Sequence, residues 1–215
     1  MLEKIYRRDY LWNFRDIAKF NKYAEPGIIF RTSSLVPYQK DDFILAFLKV
    51  KNIETIIDLR AKSEIEASPY DSDFISNFTY LNMPFDPWNQ PNWFKQTQQF
   101  GTNEEIAYRF FAMACKEQVK EVFNALMEVQ GATAIHCVAG KDRTGFIIML
   151  INMLLETPYE IILNDYLASE MDTDEKKFKI YYDIIQNKGG IFNYLESCGL
   201  ERKRLMKLKN KLQKK

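Results

Sequence analysis

A cysteine and an arginine, Cys137 and Arg143, are separated by five residues in a short glycine-containing segment. A thiolate is a strong nucleophile, and the planar fork of a guanidinium can hold two oxygens of a phosphate through a trigonal-bipyramidal transition state. Thr144 follows directly and can donate a hydrogen bond that makes the sulfur a better leaving group. These residue types at this spacing predict thiol-based transfer of a phosphate group.

This segment lies between a predicted strand and a predicted helix, which would hold it in place. Residues 132–137 predict a short buried strand, and residues 144–156 a strongly apolar helix. The turn between them would direct the backbone N–H groups of Val138, Ala139, Gly140 and Lys141 inward, and the helix dipole would add positive potential. We call residues 137–143 the cradle and expect it to bind an anion, with a helix N-terminus and a guanidinium favouring the thiolate of Cys137.

Residues 136–145, His-Cys-Val-Ala-Gly-Lys-Asp-Arg-Thr-Gly, resemble the signature loop of cysteine-dependent protein tyrosine phosphatases. The Ala-Gly-Lys-Asp-Arg core is similar to that of the atypical bacterial branch, which includes tyrosine and phosphoinositide phosphatases. The resemblance covers roughly residues 10–210, although only the loop is highly specific. Its other markers are Asn13–Asp16, Phe30–Leu35, Ile57–Arg60 with Glu64, and Asp165–Glu170.

Two aspartates are candidates for the acid that protonates the leaving group. The resemblance implies that Asp142, inside the cradle, can serve as this acid. Asp86 lies between two prolines after a strand-like run, as a movable acid loop would, or is simply a turn residue. Truncating each aspartate should distinguish them, because loss of the acid slows a poor leaving group most.

Three further charged residues near these markers have open roles. Arg31 can contact substrate or serve a surface or hydrogen-bonding role. Arg60 is placed to pair with Glu64, a structural interaction. Lys141 adds a second cation beside the cradle, a feature shared with lipid phosphatases, although it can also be a solvated loop lysine.

Buried strand patterns alternate with helical patterns, which indicates an α/β fold with parallel pairing. The expected fold is a three-layer, tyrosine-phosphatase-like domain with a central, mostly parallel sheet of about four or five strands flanked by helices. Further strands are expected over Gly27–Arg31, Ile53–Leu59 and Phe78–Phe85. Helices are expected over Asp41–Lys51, Thr102–Cys115, Lys116–Glu128, Thr157–Ser169 and Asp172–Asn187.

Some side-chain placements within these elements can also be predicted. Phe43, Phe47 and Val50 should form the core face of the first long helix. Capping boxes are expected at Thr102–Glu105 and Thr157–Glu160. Residues 87–101, rich in aromatic residues and glutamine, form either a substrate-facing lid or a loop packed on its own protein.

Composition bounds the class of protein. With 215 residues, 47% hydrophobic and 27% charged, the chain should form one phosphatase domain over residues 1–215. Three cysteines, of which Cys115 and Cys198 read as inert core residues, indicate a reducing, cytoplasmic location. Export without a cleavable signal peptide stays open. The sequence offers no transmembrane run, metal-ligand spacing or nucleic-acid motif, so no cofactor, metal or nucleic-acid partner is expected.

Charge is unevenly distributed, with a net +7 over residues 201–215 and −6 over the rest. Leu205, Leu208 and Leu212 have helical spacing, so this tail predicts a basic amphipathic helix. Such a helix can make peripheral contact with anionic lipid, or dock its leucines on the core and leave its lysines solvated.

The expected reaction is hydrolysis of phosphate monoesters through a cysteinyl-phosphate. The resemblance and the aromatic residues of 87–101 favour phosphotyrosine proteins as substrates. The alternatives are a phosphoinositide phosphatase or dual protein and lipid specificity, favoured by Lys141 and the basic tail. A phosphate-binding module without turnover is a further hypothesis, which activity lost in Cys137→Ser would exclude.

Overall fold

The computed structural model describes residues 11–86, 101–169 and 171–215. Within them a five-stranded sheet has the order β1-β2-β5-β3-β4. Its strands are β1 (Arg15–Asp16), β2 (Ile29–Thr32), β3 (Ile53–Asp58), β4 (Thr79–Asn82) and β5 (Ala132–His136). All neighbours are parallel except β1 and β2. The predicted mostly parallel central sheet is therefore confirmed, with β5 at its centre.

Helices cover both faces of this sheet. They are α1 (Asp42–Val50), α2 (Lys62–Ala67), α3 (Ser72–Ile75), α4 (Asn103–Met113), α5 (Lys116–Glu128), α6 (Asp142–Leu154), α7 (Tyr159–Leu167), α8 (Glu175–Asn187), α9 (Ile191–Ser197) and α10 (Arg202–Leu212). Strand side chains alternate between the two faces. Ile57 and Ile135 join one apolar cluster, which includes α6, while Ile56 and Ala134 join a second, which includes α1. The three-layer α/β architecture follows from this alternation.

Helix α6 is the element that connects the cradle to the core. Every residue from Thr144 to Leu154 is buried. A helix that is apolar on all sides needs cover all round, and α6 receives it from the sheet and from the helices packed around it. The cradle is thus attached to the most deeply buried helix of the described residues.

Helix α1 presents a different face to the core from the one predicted. Ile44 and Leu48 are buried, whereas Phe43 is 40% exposed and Val50 82% exposed. The prediction was therefore wrong for Phe43 and Val50, whereas Phe47 is partly buried and packs against the second apolar cluster. Apolar residues occupy most of the circumference of α1, so periodicity alone does not decide which side faces the sheet.

The basic tail forms α10, and its leucines dock on the core as one of the two alternatives required. Its lysines follow that alternative only in part, because Lys203 and Lys207 are exposed but Lys209 is buried and pairs with Glu156. Leu205, Leu208 and Leu212 are buried against the core. Among the described residues, every helix falls short of the length and hydropathy that crossing a bilayer requires.

Candidate functional site

The cradle lies where the three central strands end. His136, the last residue of β5, pairs with Thr32 of β2 and with Asp58 of β3. Cys137 follows immediately, and α6 begins at Asp142, two residues earlier than predicted. The cradle therefore joins the carboxyl end of the central strand to a helix N-terminus, where the helix dipole favours an anion.

The carbonyl groups of residues 137–142 all accept hydrogen bonds. The bonds run from His136 Nδ1 to Cys137 O (2.9 Å), Ser34 N to Val138 O (2.9 Å), Asn13 Nδ2 to Ala139 O (2.7 Å), Arg31 Nη2 to Gly140 O (2.7 Å), Gly145 N to Lys141 O (2.8 Å) and Tyr181 Oη to Asp142 O (3.0 Å). Within the described residues, the N–H groups of residues 138–143 have no acceptor. This arrangement fixes the loop by its carbonyls and leaves its donors for an anion.

Two backbone positions at the cradle and its contact with the N-terminal segment have a left-handed conformation. Gly140 has φ +69°, and a Cβ there would lie 2.3 Å from the carbonyl oxygen of Thr32. Only glycine permits so close an approach. Asn13 has φ +57°, a conformation that asparagine tolerates better than most residues, and its amide reaches Ala139. The cradle is therefore fitted tightly against β2 and the N-terminal segment.

Arg143 is held by a bidentate ion pair with Glu64 of α2. Arg143 Nη1 and Nη2 lie 2.5 Å and 2.8 Å from the two carboxylate oxygens. Burial acts to lower the pKa of Arg143, but the hydrogen bonds to Glu64 and the electrostatic interaction with Cys137 raise it well above its usual range. The guanidinium is thus permanently charged, oriented, and within electrostatic reach of the sulfur.

Glu64 therefore has a different partner from the one predicted. Arg60 binds Asp58 instead, with Nη2 2.8 Å from Oδ2, and the predicted pair of Arg60 with Glu64 was wrong. Asp58 ends β3 and Arg60 lies two residues later, so the two side chains pair locally. Glu64 lies on α2, which places its carboxylate next to Arg143.

A buried ionic cluster supports the cradle from behind. Arg31 and Arg15 share one carboxylate, that of Asp165, at 2.5 Å and 2.7 Å. Both guanidiniums also reach the Ser169 hydroxyl, and Arg31 donates to Gly140. Burial acts to raise the pKa of Asp165, but the two arginines hold it below its usual range. Of the roles left open for Arg31, the structure supports the hydrogen-bonding one.

The buried imidazole of His136 supports the carbonyl of Cys137. Its Nδ1 lies 2.9 Å from Cys137 O, and its Nε2 lies 3.0 Å from the Tyr70 hydroxyl. Burial lowers the pKa of His136, although Asp58 and the Cys137 carbonyl act to raise it. We therefore assign a neutral ring, with Nδ1–H as the donor and Nε2 as the acceptor.

Lys141 of the cradle and Thr144, which directly follows the cradle, both differ from their expected environments. Thr144 is fully buried, and its hydroxyl has no hydrogen-bond partner within the described residues, so the predicted bond to the Cys137 sulfur is not formed. The earlier start of α6 places Thr144 within the first helical turn. Lys141 is buried rather than solvated, and its ammonium donates to the Asp172 carbonyl at 2.8 Å.

The two candidate acids lie in different places. Asp142 is the first residue of α6 and belongs to the cradle; it accepts a hydrogen bond from the Tyr108 hydroxyl. Asp86 lines a pocket of about 340 Å³ together with Cys115 and Phe110, none of which belongs to the cradle. Residues 87–100 of the proposed lid lie outside the described residues.

Several residues of the site carried no functional prediction. Asn13, Arg15, Asp165 and Ser169 were named only as parts of family markers, and the structure brings them together behind the cradle. Those family markers were the signal available for these four residues. Tyr108 had no such signal, because it lies inside an amphipathic helical pattern that predicts a core position.

The sequence model of the tyrosine phosphatase family matches residues 7–187 of the chain. The chain belongs to the tyrosine phosphatase family. It is accordingly a phosphatase, and the cradle contains the cysteine and arginine on which the resemblance was based.

Two curated bacterial proteins are similar to this phosphatase. The triple specificity protein phosphatase PtpB of Mycobacterium tuberculosis is 23% identical over 208 residues, covering 82% of this chain and 73% of PtpB. A tyrosine-protein phosphatase of Nostoc commune is 30% identical over 123 residues, covering 57% of this chain and 42% of that protein.

A solved structure of a DUF442 protein from Shewanella putrefaciens shares the fold, with a TM-score of 0.51 and 12% identity. The alignment covers 84% of this chain and 95% of that structure.

Proposed function

We propose that this phosphatase hydrolyses phosphotyrosine in proteins through a cysteinyl-phosphate on Cys137. The observation that carries the proposal is the cradle itself, which is fixed through its carbonyls while its N–H groups have no acceptor within the described residues. Oriented amide donors at a helix N-terminus match the oxygens of a phosphate group. Cys137 is buried and directly precedes these donors, and Arg143 lies in the first turn of the helix that follows them.

The proposed reaction has two displacement steps. The thiolate of Cys137 attacks phosphorus, an S–P bond forms, and the P–O bond to the leaving group breaks while Asp142 donates a proton to the departing oxygen. A water molecule then attacks phosphorus, the Asp142 carboxylate accepts its proton, and the S–P bond breaks. Inorganic phosphate is released, and Cys137 returns to the thiolate.

Charge stabilisation in both steps is assigned to Arg143 and the backbone of the cradle. The N–H groups of Val138, Ala139, Gly140 and Lys141 would bind the equatorial phosphate oxygens. Arg143 would follow two of these oxygens as the geometry at phosphorus inverts. Because Glu64 fixes the guanidinium before substrate arrives, little reorganisation is needed during the reaction.

An exposed apolar rim beside the cradle supports an aromatic substrate. Trp12 is 46% exposed and Val138 is 49% exposed. They are close in space because Ser33 N donates to Trp12 O, Ser34 N donates to Val138 O, and Asn13 binds Ala139. A tyrosine ring that enters with its phosphate can pack on such a rim.

A second candidate is activity on phosphoinositides in addition to phosphotyrosine. The observation that favours it is Lys141, a buried cation next to the cradle backbone. The name of PtpB, a triple specificity protein phosphatase, supports breadth of substrate within the family. Binding a second phosphate would require Lys141 to exchange the Asp172 carbonyl for the ligand.

The substrate classes can be separated with one panel. We expect kcat/KM to be highest for a phosphotyrosine peptide, compared with a phosphoserine peptide, soluble inositol phosphates and phosphoinositide vesicles. Lys141→Ala should leave phosphotyrosine hydrolysis within about threefold of wild type, with exposed Lys179→Ala as the matched control. A preference for phosphoinositide that disappears only in Lys141→Ala would instead establish the second candidate.

The acid is tested by comparing leaving groups. Asp142→Ala should slow phenyl phosphate by about 10²- to 10⁴-fold and p-nitrophenyl phosphate much less, because an activated leaving group needs little protonation. Asp86→Ala should affect both substrates equally and weakly. The reverse pattern would assign the acid to Asp86, and equal slowing of both substrates by Asp142→Ala would remove Asp142 from this role.

A further inference from the structure

Three buried tyrosines surround Asp142, the first residue of α6. The Tyr108 hydroxyl donates to Asp142 Oδ1, and the Tyr166 and Tyr108 hydroxyls lie 2.8 Å apart. The Tyr181 hydroxyl donates to the backbone carbonyl of Asp142 at 3.0 Å, and its ring stacks on that of Tyr108 with centroids 4.7 Å apart. These side chains come from α4, α7 and α8, so three helices converge on one aspartate.

The two oxygens of the Asp142 carboxylate have different surroundings. Oδ1 accepts a hydrogen bond from the Tyr108 hydroxyl and lies 3.5 Å from the Lys141 ammonium. Oδ2 has no hydrogen bond to any of the described residues, and the side chain is 32% exposed. The carboxylate is therefore anchored through one oxygen while the other stays available for chemistry.

The tyrosines can only donate hydrogen bonds toward this carboxylate. Burial, together with the nearby charge of Asp142, raises the pKa of Tyr108 far above its usual range. Burial likewise raises the pKa of Tyr166 and of Tyr181. All three phenols keep their protons at working pH, so Tyr166 donates to Tyr108 and Tyr108 donates to Asp142.

We propose that Tyr108 is a positioning residue that holds Asp142 Oδ1, so that Oδ2 delivers the proton to the leaving group and later receives one from water. Tyr166 supports it by fixing the Tyr108 hydroxyl. This inference rests on the proposed function of Asp142 as the acid. Tyr108 gives up no proton in either step: the transferred proton leaves Oδ2 in the first step and returns to Oδ2 in the second.

The test compares Tyr108→Phe with wild type on phenyl phosphate and p-nitrophenyl phosphate. A hydrogen bond to a charged group corresponds to about a tenfold effect or more. We expect kcat on phenyl phosphate to fall about tenfold, kcat on p-nitrophenyl phosphate to fall less than about twofold, and KM to change little. The alkaline limb of the kcat profile should move to higher pH, because a donor that stabilises the charged carboxylate is lost.

Tyr194→Phe is the matched control. Tyr194 is also fully buried, but its hydroxyl donates to the Ala112 carbonyl rather than to the cradle. We expect it to lower stability as Tyr108→Phe does, with both leaving groups equally affected. If Tyr108→Phe fails to fold, Tyr166→Phe gives a smaller effect of the same pattern, because Tyr108 is retained but loses its donor.

The double variant separates this inference from the proposed function. Tyr108→Phe with Asp142→Asn should be no slower on phenyl phosphate than Asp142→Asn alone, since Tyr108 acts through Asp142. Equal slowing of both substrates by Tyr108→Phe, with an unchanged pH profile, would overturn the inference. If Asp142→Asn itself shows no leaving-group dependence, the proposed acid fails first, and the role of Tyr108 fails with it.

Discussion

The two ends of the central sheet both carry basic side chains, but they hold them differently. At the carboxyl end, Arg143 and Arg31 are oriented by carboxylates and surround a fixed backbone loop. At the amino end, α10 exposes Lys203 and Lys207 above its buried leucines. Helix α10 lies at this end because Gln213 pairs with Ala24, just before β2.

A phosphate site requires donors that converge on one point, and a large number of cations does not replace this convergence. Exposed lysines attract anions only through screened, non-directional charge, whereas the cradle combines amide donors with a preset guanidinium. Helix α6, 13 residues and thus about 20 Å long, separates the two ends. A lipid surface bound by α10 would therefore face away from the cradle, which weakens the argument for lipid substrates from the basic tail.

The largest effect should come from removing the guanidinium at the carboxyl end. Arg143→Ala should lower kcat/KM for p-nitrophenyl phosphate by about a thousandfold, because charge stabilisation in the transition state is lost. Initial rates under reducing conditions give the measurement. Arg204→Ala, on α10, is the amino-end control and should stay within about twofold of wild type. Equal losses in the two variants would break the contrast between the ends.

A smaller loss should follow from releasing the guanidinium without removing it. Glu64→Gln deletes charge-assisted hydrogen bonds worth about 1.5–3 kcal/mol, so kcat should fall by about ten- to a hundredfold. Glu66→Gln on the same helix α2 is the exposed control, with no expected change. A Glu64→Gln variant as active as its control would show that Arg143 needs no preset orientation.

Two titratable side chains at the carboxyl end of the sheet, His136 and Asp165, should make the stability of the fold depend on pH. Burial lowers the pKa of His136 in the folded protein. The contribution of the neutral ring to the free energy of unfolding is therefore complete above about pH 6.5, and it is lost as the pH falls toward the pKa of the folded state. Asp165, whose pKa is also lowered, acts only below about pH 4.

We therefore expect the free energy of unfolding, measured by urea titration, to decrease from pH 7 to pH 5. The decrease should be up to about 1.4 kcal/mol per pH unit. His136→Asn should remove most of this slope. An unchanged slope in His136→Asn would place the titrating group elsewhere.

The smallest effect should come from the amino end. Lys203→Gln combined with Lys207→Gln should change kcat/KM on a phosphotyrosine peptide by less than about twofold, since exposed charges far from the cradle are screened. The same variant is then assayed on phosphoinositide vesicles. A large loss confined to vesicles would show that α10 binds lipid and would overturn the contrast between the two ends of the sheet.

Element positions and helix caps that depend on residues close together in sequence could largely be predicted. The strand, the cradle and the following helix form one continuous pattern, and their positions agreed within two residues. The capping box at Thr102 formed as predicted, with Glu105 Oε2 accepting from Thr102 N at 2.7 Å. At Thr157 it did not form, because the hydroxyl accepts from Asn21, far away in sequence, instead.

Features set by distant parts of the chain were not predictable. Glu64 binds Arg143 across 79 positions, and Arg31 binds the Gly140 carbonyl across 109. Spacing patterns carry no information about such pairs, which depend on how layers pack. The hydrogen bond of the Tyr108 hydroxyl could not be predicted either. A tyrosine on the apolar face of a helix fits the pattern of a core residue, whichever group its hydroxyl contacts.

In the proposed mechanism, the sulfur of Cys137 carries the phosphate during turnover. Rapid acid quench of the enzyme with p-nitrophenyl phosphate, followed by peptide mass spectrometry, tests it most directly. We expect phosphate on the peptide containing Cys137, absent in Cys137→Ser and retained in Cys115→Ser. Phosphate on another residue, or full hydrolysis by Cys137→Ser, would contradict the account.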